Sequence, residues 1–167
     1  MEDRPKIKLE LTGTDKIIEL FGWFSVLVIW VYTMVNFSKL PDTIPTHFNA
    51  MGEADDFGGK ASILALPIIA TIVFVGISIL SRFPHIFNYP VNITKENAQR
   101  QYTIATRLMR YVNLIVVLII GYITFTSIQS AKGQTGGLGA WFLPVSLGVV
   151  FIPIIYYIVV SRKKSNH

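Results

Sequence analysis

Residues 17–36 read IIELFGWFSVLVIWVYTMVN, a run of twenty in which Glu19 is the single charged side chain. Twenty helical residues rise about 30 Å, the thickness of a bilayer's hydrocarbon core. Three more runs of the same kind follow at 62–81, 111–130 and 141–160. Inside lipid no water is present to bond backbone N–H and C=O groups, so each run must satisfy its own backbone as a helix. The sequence therefore predicts an all-α integral membrane protein, one domain over 1–167 with four transmembrane helices. Pro67 and Pro144 fall in first turns, where a missing N–H costs least, and Pro153 is expected to kink the fourth helix.

Composition agrees. The chain is 51% hydrophobic and 15% charged, against about 25% charged for soluble domains, and its mean hydropathy is +0.50. The net charge of +5 is carried by basic residues that flank the apolar runs. That placement signals orientation in a membrane and excludes a nucleic-acid partner as its explanation. Twelve Lys and Arg lie in the N-terminal segment, the second loop and the C-terminal tail (Lys164 among them), and three (Lys39, Lys60 and Lys132) in the first and third loops. The positive-inside rule then puts both termini in the cytoplasm and the first loop outside. The mixed-charge start, with Glu2, Asp3, Glu10 and Asp15, reads as no cleaved signal peptide. The absence of Cys excludes disulfides, thiolate metal sites and a Cys nucleophile. No cofactor is predicted.

Outward from the first run lies the extracellular segment 37–61, which contains LPDTIPTHFNAMGEADDFGGK, residues 40–60. Pro41 and Pro45 force Leu40 and Ile44 toward extended conformations. Asn49-Ala50-Met51-Gly52 is a turn signal, and Gly58-Gly59 allow a tight return into the second span. A small hairpin on the outer surface fits this punctuation. Its polar side chains, Asp42, His47, Asn49, Glu53, Asp55, Asp56 and Lys60, are the candidate ligand-binding residues. One reading is a surface for an extracellular peptide or protein. Another is a membrane enzyme or metal site with His47 facing Asp55 and Asp56, although zinc needs three or four ligands. A third is that the Asp residues cap turns. The sequence GGKAS lacks the spacing of a phosphate-binding loop.

The segment 82–110 is the basic cytoplasmic side. Thr94 reads as an N-cap, and one apolar face (Ala98, Tyr102, Ala105, Met109, Val112) predicts a helix from about Lys95 unbroken into the third span. Glu96 and Arg100 are spaced for an i,i+4 pair. With Arg107 and Arg110 they form the candidate interface for a cytoplasmic or membrane partner. The neutral polar residues of the third span, and Gly76 and Gly121, are expected at helix contacts. A small transporter subunit acting as a homo-oligomer is a further reading, disfavoured because no ionisable group lies mid-membrane. The Gly-rich third loop, 131–140, reads as a connector.

At residues 40–60 the chain resembles the bacterial membrane family called domain of unknown function 1648. The approximate family pattern L-P-x-x-I-P-x-H-F/W-x-x-x-G-x-x-D-x-x-x-x-K is matched by Leu40, Pro41, Ile44, Pro45, His47, Phe48, Gly52, Asp55 and Lys60. The stretch FNYPVNITKENAQRQY, 87–102, is similar too. The resemblance implies a multi-pass protein of the bacterial plasma membrane whose outer motif matters. The same domain forms the N-terminal part of SdpI-like immunity proteins, which protect a toxin producer and relay the toxin's presence to a repressor. Within the four spans no portion resembling their second half is recognised.

Overall fold

The structure, a computed structural model, describes residues 4–163; Glu2, Asp3 and Lys164 lie outside them. Four helices are long and apolar enough to cross a membrane: α1 (Gly13–Phe37), α2 (Ala65–Leu80, preceded by a 3₁₀ turn at Lys60–Leu64), α3 (Ala98–Ala131) and α4 (Phe142–Arg162). The protein is a multi-pass membrane protein. Between α1 and α2 stands a two-stranded antiparallel sheet, β1 (Thr43–Phe48) and β2 (Ala54–Gly59).

Side-chain capping fixes the start of α1. Thr12 and Asp15 form a capping box: the Thr12 N–H donates to Asp15 Oδ2 at 2.9 Å and the Asp15 N–H to Thr12 Oγ1 at 3.3 Å. This starts α1 four residues before the apolar run. The start of α3 differs from expectation. Thr94 closes a turn with Asn97, whose Oδ1 accepts from the Thr94 N–H at 2.9 Å, and the helix begins at Ala98 rather than Lys95. The N-terminal stretch from Arg4 to Leu11 is in no regular element.

Helix α3 is the centre of the bundle and packs on α1, α2 and α4, while α1 also touches α2. Val26, Ile29, Ala70, Phe74, Val117 and Ile120 form the buried middle. The outward faces are large and apolar, with Leu20 and Ile72 about two-thirds exposed, as lipid contact requires. Within α4 the only buried side chain is Ser161. Pro153 lies inside α4, where the missing N–H leaves one carbonyl of the preceding turn without its helical partner.

The tight helix crossing is at Gly22, where a Cβ would sit 2.1 Å from the Phe74 ring. Trp23 meets the same ring edge-on, centroids 4.9 Å apart. Gly76, expected at such a contact, faces open space, and a Cβ at Gly121 would make only ordinary contact with Ile29 at 3.4 Å. Polar groups fasten the spans: the Trp30 indole N–H donates to Thr71 Oγ1 at 2.9 Å, and Asn113 Nδ2 donates to the Phe74 carbonyl at 3.0 Å.

Candidate functional site

The hairpin is seated by its apolar motif residues. Leu40 and Ile44 are buried with Ile63 and Ile128, joining the hairpin base to α2 and α3. Burying each such side chain contributes about 1.5–3 kcal/mol, which offsets the ordering of the loop. Pro45, also buried, lies opposite Phe57 across the sheet. Phe48 is half-buried and pairs with Ala54. Pro41 is exposed at the approach to β1. At the base, the Lys60 N–H donates to the Asp42 carbonyl at 2.9 Å and Lys60 Nζ to Asp42 Oδ1 at 2.9 Å. Asp42 and Lys60 therefore close the hairpin.

The turn is organised by Asn49. Its Oδ1 accepts from the Met51 and Glu53 N–H groups at 2.9 and 3.1 Å, and its Nδ2 donates to Glu53 Oε2 at 3.2 Å. Gly52 adopts φ +77°, the left-handed region that glycine occupies without steric cost. Gly58 and Gly59 have no such conformation. A Cβ at Gly58 would press on the Thr46 methyl at 2.9 Å, so its smallness serves a cross-strand contact.

A set of polar side chains on the two strands is exposed and mutually hydrogen-bonded. His47 Nδ1 lies 2.6 Å from Asp55 Oδ1, with the two side chains 66% and 42% exposed, so the pair is open to solvent. The Thr46 hydroxyl donates to Asp56 Oδ2 at 3.3 Å. In strand register His47 stands opposite Asp56, and an irregularity on either side of it lets the ring reach Asp55. The sequence-predicted grouping of His47, Asp55 and Asp56 on adjacent strands is thus present in the geometry. Among the described residues no three His, Asp or Glu converge as metal ligands.

The third loop contributes more than its sequence suggests. The Leu138 N–H donates to the Gly52 carbonyl at 2.7 Å, and Gly137 bridges Glu53 in antiparallel fashion. Leu138 is buried, and Tyr122 on α3 donates its hydroxyl to the Leu138 carbonyl at 3.3 Å. The hairpin is held at its tip as well as its base. Backbone bonds of this kind leave little trace in sequence; three glycines at 136, 137 and 139 are the available signal.

At the opposite end of the bundle the arginines serve internal contacts. Arg110 Nε lies 2.9 Å from Glu19 Oε1, and Arg107 Nε 3.4 Å from Asp15 Oδ1, tying α3 to α1. Arg100 donates to the Val160 and Lys163 carbonyls at 3.0 and 3.2 Å, and Gln101 Nε2 to the Ser161 carbonyl at 3.0 Å. They satisfy carbonyls that the end of α4 would leave orphaned. Arg100 is therefore directed to α4 rather than Glu96. The Thr94 side chain hydrogen-bonds the Glu96 carboxyl and holds it below the usual range.

The hydrogen bond from Lys60, reinforced by its positive charge, likewise depresses the Asp42 carboxyl. A depressed carboxylate favours the folded hairpin above its unfolded value of about 3.9 and loses that contribution as pH falls through the lowered folded value. Amide exchange at Lys60, corrected for intrinsic rates, is expected to stay slow at neutral pH and accelerate below pH ~4. Asp42→Asn is expected to remove this acid dependence.

A family model described as "Domain of unknown function (DUF1648)" matches residues 24–71, from within α1 through the whole hairpin into α2. A protein of Archaeoglobus fulgidus described as "Uncharacterized protein" is 28% identical over 159 residues, covering 88% of this chain and 87% of that protein. No solved structure matches.

Proposed function

We propose that this multi-pass membrane protein is a sensor or immunity-type receptor that binds an extracellular peptide or protein through the hairpin's polar face. The supporting observation is the way the hairpin is held. Leu40 and Ile44 fix its base, the third loop fixes its tip, and His47, Asp55, Asp56 and Glu53 remain exposed. A preorganised face loses little conformational entropy when a partner docks. The positive-inside pattern favours the hairpin on the outside. Helix α3 supplies the route inward, since it carries Ile128 under the hairpin and Arg100 at the far end against α4. A response would pass as a shift of α3 that alters how α4 is held.

Two measurements test the reading. A cysteine placed at Asp56 is expected to react with an impermeant reagent on intact cells; reaction only after lysis overturns the orientation. Deleting or overexpressing the gene is expected to change sensitivity to at least one secreted peptide toxin. His47→Ala with Asp55→Ala is expected to abolish the change at equal protein level. Unchanged sensitivity across a broad panel of such toxins counts against the receptor role.

A further inference from the structure

A groove of about 490 Å³ runs beneath the hairpin, between β1 and the adjoining ends of α2, α3 and α4. This volume is within the ~300–1,000 Å³ range of small-molecule sites. Ile44 and Phe48 roof it, while Leu66, Ile69 and Ile123 line its deeper part. Ile69 follows Lys60 by nine residues, about 13 Å along a helix. With Lys60 at the hydrocarbon boundary, the groove would reach well into the ~15 Å of hydrocarbon in one leaflet. Ile69 is 47% exposed on the flank of α2, so the groove opens sideways toward lipid as well as upward to the hairpin.

The upper rim has a different chemistry. Thr46 and His47 line the groove, and each is hydrogen-bonded to a carboxylate, Asp56 and Asp55 respectively. No Lys or Arg lines it. An apolar slot at acyl-chain depth under an acidic, hydrogen-bonding rim complements one class of occupant. We propose that the groove holds one acyl chain of an amphiphile from the hairpin-side leaflet, with an ammonium-bearing head group against His47, Asp55 and Asp56. The ammonium would donate to the carboxylates and the chain would replace bulk lipid against Ile69 and Ile123. The proposal does not rest on the peptide-receptor reading, but the head group would take the same His47, Asp55 and Asp56 side chains, so a docking peptide would displace it.

The test uses the full chain in nanodiscs. The probe is phosphatidylethanolamine with a photoactivatable diazirine midway along one acyl chain, and phosphatidylglycerol with the same chain is the head-group control. The phosphatidylethanolamine probe is expected to label the groove walls, 62–69 and 123–127, several-fold more than the lipid-facing side of α1. It is also expected to exceed the control there. Ala65→Phe and Ile69→Trp fill the groove from exposed positions and are expected to cut that labelling several-fold while α1 labelling is unchanged. Asp55→Asn with Asp56→Asn is expected to equalise the two probes. Even labelling of all four helices, or full groove labelling in both filled variants, overturns the chain site and leaves the groove to another occupant, such as an apolar peptide side chain. Equal labelling by the two probes in the unaltered protein overturns the head-group assignment.

Discussion

Replacing Arg110 with methionine is expected to destabilise the bundle by about 3 kcal/mol, the lower end of what is lost when one partner of a buried ion pair is removed. Arg110 is 8% exposed and holds Glu19 at 2.9 Å between α3 and α1. Without the guanidinium, Glu19 must either stay charged in an apolar setting or take up a proton. Glu19 is partly exposed, which puts the loss at the lower end. Denaturation of the purified protein in mild micelles by increasing sodium dodecyl sulfate, followed by tryptophan fluorescence, measures the shift. The double variant Arg110→Met with Glu19→Leu is expected to recover most of it, because the uncompensated charge is gone. A double variant no more stable than the single one would show that the cost lies in lost contacts of Arg110 and not in the stranded carboxylate.

The second large effect is expected at the hairpin tip. In Gly52→Ala, a side chain must occupy φ +77°, and its Cβ would stand 2.5 Å from the Gly139 backbone nitrogen. The left-handed conformation costs about 1–2 kcal/mol. A backbone obstacle cannot rotate aside as a side chain can, so the third loop must lift. The Leu138-to-Gly52 hydrogen bond is then lost, for a total of about 2–4 kcal/mol. The effect should be local. Amide exchange at Leu138 and through Asn49–Glu53 is expected to speed up by orders of magnitude while α1 to α3 keep their protection. Unchanged protection at Leu138 would mean that the loop is not held by this contact.

The spans were readable because lipid imposes a length and a composition that few other settings do. The apolar runs fall inside the observed helices to within a few residues at their ends. The hairpin was readable for a different reason: Pro41, Pro45 and the Asn49–Gly52 turn restrict the backbone locally, and local restrictions are written locally. What escaped is tertiary. Nothing near Gly22 reveals that Phe74 will lie across it, whereas Gly76, equally mid-span, faces open space. Arg107 and Arg110 looked like a basic surface because their partners, Asp15 and Glu19, are about ninety residues away. The same distance hid the docking of the third loop, which uses main-chain groups that every residue carries.

That docking also bears on how the protein is made. Leu138 follows Gly52 by about 86 residues, which at about 5–20 residues per second separates their synthesis by roughly 4–17 s. A nascent chain must therefore complete β1 and β2 and thread two further spans before the segment that clasps the hairpin tip leaves the ribosome. During that interval the Gly52 carbonyl and the Glu53 backbone lack their third-loop partners. A translocon stall after α3 would leave this unclasped intermediate standing, the form of the chain whose hairpin tip is most open to proteases and chaperones.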